Sequence, residues 1–213
     1  MRRLGVLLVL VLGCCACTSS PEPIHKTMRS VLLQLSDFPP SWRSFPAAND
    51  QGDLLGDLAT CTGVTVHGKS IATERSGEFR KGRQRITSTA VGFDDNGPSA
   101  DRATALGSSK ADGCMAQVVR NRVLEAVPGA TITSSQFTVQ SGGVNVAVNW
   151  AGSATGVVTV AQDGHQVKVY IDAVFLFGRN FYCDLTFLGV GAPVQDYVRK
   201  VLTDDVALRA QHT

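Results

Sequence analysis

The chain has 213 residues, with 20 basic and 18 acidic side chains and 44% apolar residues. That is enough for one domain with its own core. The charges are too nearly balanced for a nucleic-acid binder, which carries a clear basic excess. Arg2 and Arg3 account for the whole imbalance, so beyond the N-terminus 18 basic residues face 18 acidic ones.

Arg2-Arg3 precedes an apolar run, Leu4 to Gly13. About ten residues is half of the roughly 20 that span a bilayer, and is the length of a signal peptide's apolar region. The run ends at Val11-Leu12-Gly13-Cys14, which resembles a bacterial lipobox: a small residue precedes a cysteine that is diacylated and becomes the new N-terminus. Residues 1–13 are therefore expected to be a lipoprotein signal peptide and Cys14 the lipidated residue, with Cys17, after Ala16, as the alternative. Two or three acyl chains hold a protein stably to a membrane, at about 0.8 kcal/mol per buried methylene. Residues 14–25, with the polar, proline-bearing TSSPEPIH, are expected to be a tether, and residues 26–213 a single extracytoplasmic domain.

Met28, Val31, Leu32 and Leu35 fall at helical spacing and predict a helix over 26–36, broken by Asp37-Phe38-Pro39-Pro40. Residues 44–60 read as loop with a helical turn at 53–59. Residues 70–79 and 84–93 read as a hairpin around Lys81-Gly82, and Pro98 opens a long helix over 99–126, ended by Pro128-Gly129. Phe137 and Val139, then Gly142-Gly143, then Val144, Val146, Val148 and Trp150 predict a hairpin pairing Val139 with Val146 and Phe137 with Val148. Asp163-Gly164 predicts a second, pairing Val160 with Val167 and Val158 with Val169. Gly178-Arg179-Asn180 predicts a third, with Phe177 opposite Phe181 and Phe175 opposite Cys183. Val194, Tyr197, Val198, Val201 and Leu202 predict a C-terminal helix after Pro193. The expected fold class is α+β: an antiparallel sheet of about six strands with helices on one face, in the order α-β-β-α-β-β-β-β-α.

Outside the signal region the cysteines are Cys61, Cys114 and Cys183. Cys61 and Cys114 are expected to form a disulfide, in keeping with an oxidising compartment. Zinc ligation lacks a CxxC pair and a nearby histidine. Cys183 is expected to be a buried free thiol, with a bridge to Cys15 or Cys17 as the alternative. No nucleophile elbow, S-x-x-K spacing or phosphate loop is present, so no catalytic residue, metal or cofactor is assigned and the chain is expected not to be an enzyme. Arg75, Arg80, Lys81, Arg83 and Arg85, with Glu74 and Glu78 among them, form a charge cluster. Its ordinary reading is a solvated hairpin tip that protects an edge. Its functional reading is contact of Arg80, Lys81 and Arg83 with anionic headgroups or cell-wall polymers.

Leu35-Ser36-Asp37-Phe38-Pro39-Pro40-Ser41-Trp42 resembles the "L-x-D-hydrophobic-P-x-G-W" opening of actinobacterial extracytoplasmic domains similar to the sensor domain of the mycobacterial H-type Ser/Thr protein kinase. Cys61, a strand pair, a helix bearing Cys114 and a late hairpin turn with Gly178-Arg179 follow in the family's order, so the resemblance covers roughly residues 28–210. Ser41 stands where the family commonly has Gly, and Cys183 has no partner for the family's second disulfide. The resemblance implies a non-catalytic domain with a ligand cleft. Here that cleft is expected between sheet and helix, lined by Trp42, Trp150, Phe175 and Phe187. The resulting expectation is a lipid-anchored lipoprotein on the outer face of the cell membrane or in the envelope. It would bind or sense an envelope lipid, glycan or protein partner, and no nucleic acid. A lipid carrier, an envelope hydrolase and an assembly scaffold are the alternatives.

Overall fold

The computed structural model describes residues 22–47, 53–142, 150–162 and 164–212. The signal peptide, Cys14 and Cys17, most of the tether, Val144, Val146, Val148 and Asp163 lie outside the described residues. The elements in chain order are α1 (Glu22–Ser30), a single 3-10 turn (Leu35–Asp37), β1 (Arg43–Phe45), α2 (Leu54–Thr62), β2 (Ser70–Arg75), β3 (Glu78–Lys81), β4 (Gln84–Phe93), α3 (Gly97–Leu106), α4 (Ala111–Ala126), β5 (Thr131–Ser141), β6 (Trp150–Gln162), β7 (His165–Phe177), β8 (Phe181–Val190) and α5 (Asp196–Gln211). The strands form one eight-stranded sheet in the order β1-β3-β4-β8-β7-β6-β5, with β2 also pairing with β4. Every pairing is antiparallel. The class is therefore α+β as expected, with more strands than the predicted six.

Helices cover both faces of the sheet, not one. On face A, Met28, Val31 and Leu32 around the end of α1, Phe38 and Trp42 after it, and Leu202 and Val206 of α5 pack on Ile86, Leu176, Cys183, Leu185 and Phe187. On face B, Leu55 and Leu58 of α2, Leu106 of α3, and Met115 and Val119 of α4 pack on Val91, Phe137, Val158, Phe175 and Tyr182. The sequence carries the reason. Val174-Phe175-Leu176-Phe177 and Phe181-Tyr182-Cys183 are apolar at every position, which a strand is only when both its faces are buried.

The register of the last three strands tests the predicted turns. The Asp-Gly hairpin is as expected, with Val158 opposite Val169 and Val160 opposite Val167. The third hairpin is displaced by one residue: Phe177 faces Tyr182, Leu176 faces Cys183 and Phe175 faces Asp184. The Gly178 N–H donates to the Phe181 carbonyl, so the bonded pair nearest the turn encloses two residues where three were expected. Cys183 is buried as expected, but in the face A core. The partners expected across Gly142-Gly143 are replaced by residues further along: Phe137 faces Gly156 and Val139 faces Ala154. A Cβ on Gly156 would come within 2.4 Å of the Phe137 ring, so the missing side chain is what admits that ring and fixes the pairing.

Other elements differ at their ends. α1 begins at Glu22, so the last residues of the expected tether are helical, and it stops at Ser30. A Cβ on Gly92 would meet Met28 Sδ at 2.6 Å and Ile24 Cγ1 at 2.9 Å, so this glycine lets α1 lie close on β4. The expected loop 44–60 holds the short edge strand β1 and the helix α2, whose N-cap is Asp53. The expected first hairpin strand is split: Ser76 interrupts it, its N–H donating to the Ser88 carbonyl while its Oγ accepts from the Ser88 N–H. The expected helix 99–126 is two helices broken at Gly107. Tyr197, expected on the buried side of α5, is 75% exposed, because that helix starts at Asp196 and turns Leu202, Val206 and Ala207 inward.

Candidate functional site

Cys61 on α2 and Cys114 on α4 are joined by a disulfide, with Cα atoms 5.6 Å apart. It ties two of the face B helices together. At the opposite end of α2 lies a polar stitch. Asp53 Oδ1 accepts from the Gly56 N–H at 2.7 Å and from the Tyr182 hydroxyl at 2.5 Å, while Arg102 Nε donates to Oδ2 at 3.1 Å and its Nη2 reaches the same oxygen. Arg102 Nη1 donates to the Pro98 carbonyl at 3.0 Å, and its guanidinium lies 4.7 Å from the Phe93 ring centre. Burial by itself would raise the Asp53 carboxyl. The Arg102 and Tyr182 hydrogen bonds, the Arg102 charge and the Gly56 N–H outweigh it and hold the carboxyl below its ordinary range. The stitch binds α2, α3 and β8 together.

Three of the four aromatics expected to line one cleft are divided between the two cores. Trp42 and Phe187 are buried in the face A core, and Phe175 is buried on the opposite face. The side chain of Trp150 lies outside what the structure describes. Cys183 is wholly buried, and burial first, then the Asp184 charge, pushes its thiol up, so it is a poor nucleophile. His25 Nδ1 is 2.7 Å from Glu74 and His67 Nδ1 is 3.1 Å from Asp101, so each is engaged with a single carboxylate. Among the described residues there is no group of three metal-type ligands.

The charge cluster is rearranged by the fold. Face B is apolar where α2, α3 and α4 cover it, but on β1, β3 and the first half of β4 no described helix covers it. The register sets Arg43 of β1 opposite Arg80 of β3, and Arg80 opposite Arg85 of β4, so three arginines stand in one row across three strands. Strands lie about 4.8 Å apart, which puts the outer two α-carbons about 10 Å apart. In the next row Phe45 faces Glu78, and beyond it Thr87 faces Thr186. A further row holds Arg75, Thr89 and Asp184. Arg43, Ser44, Phe45 and Arg85 are exposed, and Arg75, Arg80, Thr87, Thr89 and Thr186 are half-buried.

One carboxylate serves this row. Glu78, 5% exposed, accepts from Arg80 Nε at 2.7 Å and Nη2 at 2.8 Å, and its Oε1 is 3.4 Å from Arg85 Nε. The Arg80 hydrogen bonds, more than burial opposes them, hold the Glu78 carboxyl low, with the Arg80 and Arg85 charges adding to this. The Arg80 guanidinium also lies 4.4 Å from the Phe45 ring centre. Arg43 has no carboxylate partner among the described residues. Lys81 and Arg83, expected to act with Arg80, are exposed at the hairpin tip and do not belong to the row.

At the far end of the strip Asp184 is buried. Thr186 Oγ1 donates to its Oδ1 over 3.4 Å. Burial raises the carboxyl to about 7; the Arg122 and Arg75 charges and the Thr186 hydroxyl oppose this, and the Asp53 charge adds to it. Arg43, Thr87, Thr186 and Asp184 are the residues of this surface that sequence reasoning missed. Asp184 left a trace, a lone carboxylate inside the apolar run Phe181 to Phe187.

No family model matches the chain, and no curated protein matches it. Solved structures that resemble it include the following three. The extracellular domain of PknH from Mycobacterium tuberculosis is 10% identical, with 86% of this chain and 95% of that one covered at a TM-score of 0.40. An uncharacterised protein of Mycobacterium smegmatis is 11% identical, covering 83% of this chain and 92% of that one at 0.40. LpqN of Mycobacterium tuberculosis, described as involved in cell envelope biogenesis, is 12% identical, covering 82% and 78% at 0.29. The kinase sensor domain whose family Leu35 to Trp42 resembles is thus among the solved structures this chain resembles.

Proposed function

We propose that this chain is a lipid-anchored extracytoplasmic domain that binds rather than catalyses, and that it recognises its ligand through the open, arginine-bearing half of face B. The carrying observation is the row Arg43, Arg80 and Arg85 around the single carboxylate of Glu78. Like charges directly opposite one another on a sheet destabilise it, so the row is a cost that packing does not require. Edge protection accounts for Arg43 on the outermost strand but not for Arg80 and Arg85 on inner ones. The anchor is supported by Val11-Leu12-Gly13-Cys14 and by a disulfide of the kind that persists outside the reducing cytosol. A lipid carrier needs an apolar cavity, whereas Phe175 and Phe187 are fully buried in two separate cores.

The test has two parts. In detergent phase partition the full chain enters the detergent phase and the Cys14→Ser/Cys17→Ser double variant stays in the aqueous phase; equal partition of the two contradicts the anchor. The double variant, freed of lipid, is then sedimented with the envelope fraction of the source cells. Retention that Arg43→Glu/Arg85→Glu abolishes supports recognition at the row, and retention unchanged by that substitution contradicts it.

A further inference from the structure

We infer that the arginine row takes the phosphate group of a small water-soluble ligand, approaching from the aqueous side rather than from the bilayer that holds the anchor. This deepens the reading of the open face as the recognition surface and rests on it.

The chemistry comes from the row itself. Glu78 offsets one of three guanidinium charges, leaving two, the charge of an ionised phosphate monoester. Arg80 spends Nε and Nη2 on Glu78, its Nη1 has no partner among the described residues, and its guanidinium lies against the Phe45 ring. Arg85 gives only its Nε, at 3.4 Å, and Arg43 gives nothing to any described carboxylate. Two nearly free forks about 10 Å apart at their α-carbons, with a fixed guanidinium between them, suit an anion that accepts on several sides. Thr87, two residues along β4 from Arg85, adds a hydroxyl donor on the same face. A singly charged carboxylate ligand would leave one positive charge uncompensated.

The direction of approach follows from where α1 docks. Ile24 lies against Gly92, at the far end of β4 from Arg85. Seven residues of strand separate Gly92 from Arg85, about 23 Å. The start of α1, the described element nearest in sequence to the expected anchor, and the arginine row therefore sit at opposite ends of β4.

The test is calorimetric titration of sodium pyrophosphate and inorganic phosphate into the detergent-solubilised full chain. One saturable site is expected, weakening about tenfold for each of Arg43→Gln and Arg85→Gln, with no fall in melting temperature. Lys81→Gln/Arg83→Gln, at the hairpin tip, should leave the affinity as it was. Affinity unaltered by the row substitutions overturns the inference. Should neither anion bind while envelope retention still depends on the row, the phosphate assignment is wrong and the recognition reading stands. Should the row matter in neither assay, both fall. A final arm floats the unlipidated Cys14→Ser/Cys17→Ser chain with phosphatidylglycerol vesicles. It should remain unbound, and flotation abolished by the row substitutions would overturn the aqueous source in favour of a headgroup.

Discussion

Replacing Asp184 by asparagine removes a titration that the fold makes costly. Burial raises this carboxyl to about 7, against an ordinary 3.8, and the opposing Arg122 and Arg75 charges do not reverse the shift. Asp184 therefore keeps its proton in the folded chain up to about pH 7, while the unfolded chain gives it up near pH 4. Between those values the folded state binds more protons, so stability falls as pH rises from about 4 to about 7 and is level above that. Three pH units correspond to about 4 kcal/mol, the cost of ionising Asp184 in place. The carboxamide of the Asp184→Asn variant has nearly the same shape and no charge, so the variant keeps the stability that the native chain loses. Urea unfolding followed by circular dichroism, run from pH 4 to pH 8 on both proteins, isolates the effect, because every other titrating group cancels in the difference. The two should lie within about 1 kcal/mol of each other at pH 4, and the variant should be ahead by about 4 kcal/mol at pH 8. A difference that stays constant over that range would refute the burial argument.

Cys61→Ser/Cys114→Ser opens a loop of 53 residues, which the chain-entropy relation values at about 4 kcal/mol, read as a fall in the denaturation midpoint without reductant. Arg102→Met leaves Asp53 without its guanidinium and should cost about 3 kcal/mol in the same urea assay at pH 7, with much of the loss gone when Asp53→Asn is combined with it. The Asp53 carboxyl is held low in the fold. Its contribution is therefore present above pH 4 and is lost as pH falls through its folded value, a window below the one in which Asp184 acts.

The two hairpins of known register show why one was legible and the other not. Asp163-Gly164 selects a two-residue turn, and that turn alone fixes Val158 against Val169. At the third turn both flanking strands are apolar on both faces, so a slip of one residue leaves the hydrophobic pattern satisfied, and the turn's own hydrogen bond decides. The Gly-Gly hairpin misled for a different reason. The alternating valines that follow it read as a partner strand, but the strand that pairs with Phe137 is the one offering Gly156 beneath the ring. The disulfide was legible because few cysteines remained to pair. The arginine row was half legible. Arg80 and Arg85 stood out as a cluster, but Arg43 joins them only through β1, a three-residue strand too short to show any periodicity. The aromatic candidates were read from residue type alone, and nothing in their spacing could tell a cleft from two cores on opposite faces.

The most direct test of the account is native mass spectrometry of the full chain isolated from its own envelope, alongside Arg43→Gln/Arg85→Gln prepared in the same way. The account predicts a defined adduct on the native chain, containing phosphorus, that dissociates on denaturation and is missing from the variant. An adduct carried equally by both proteins, or a bare mass for the native chain under conditions that preserve its fold, would contradict it.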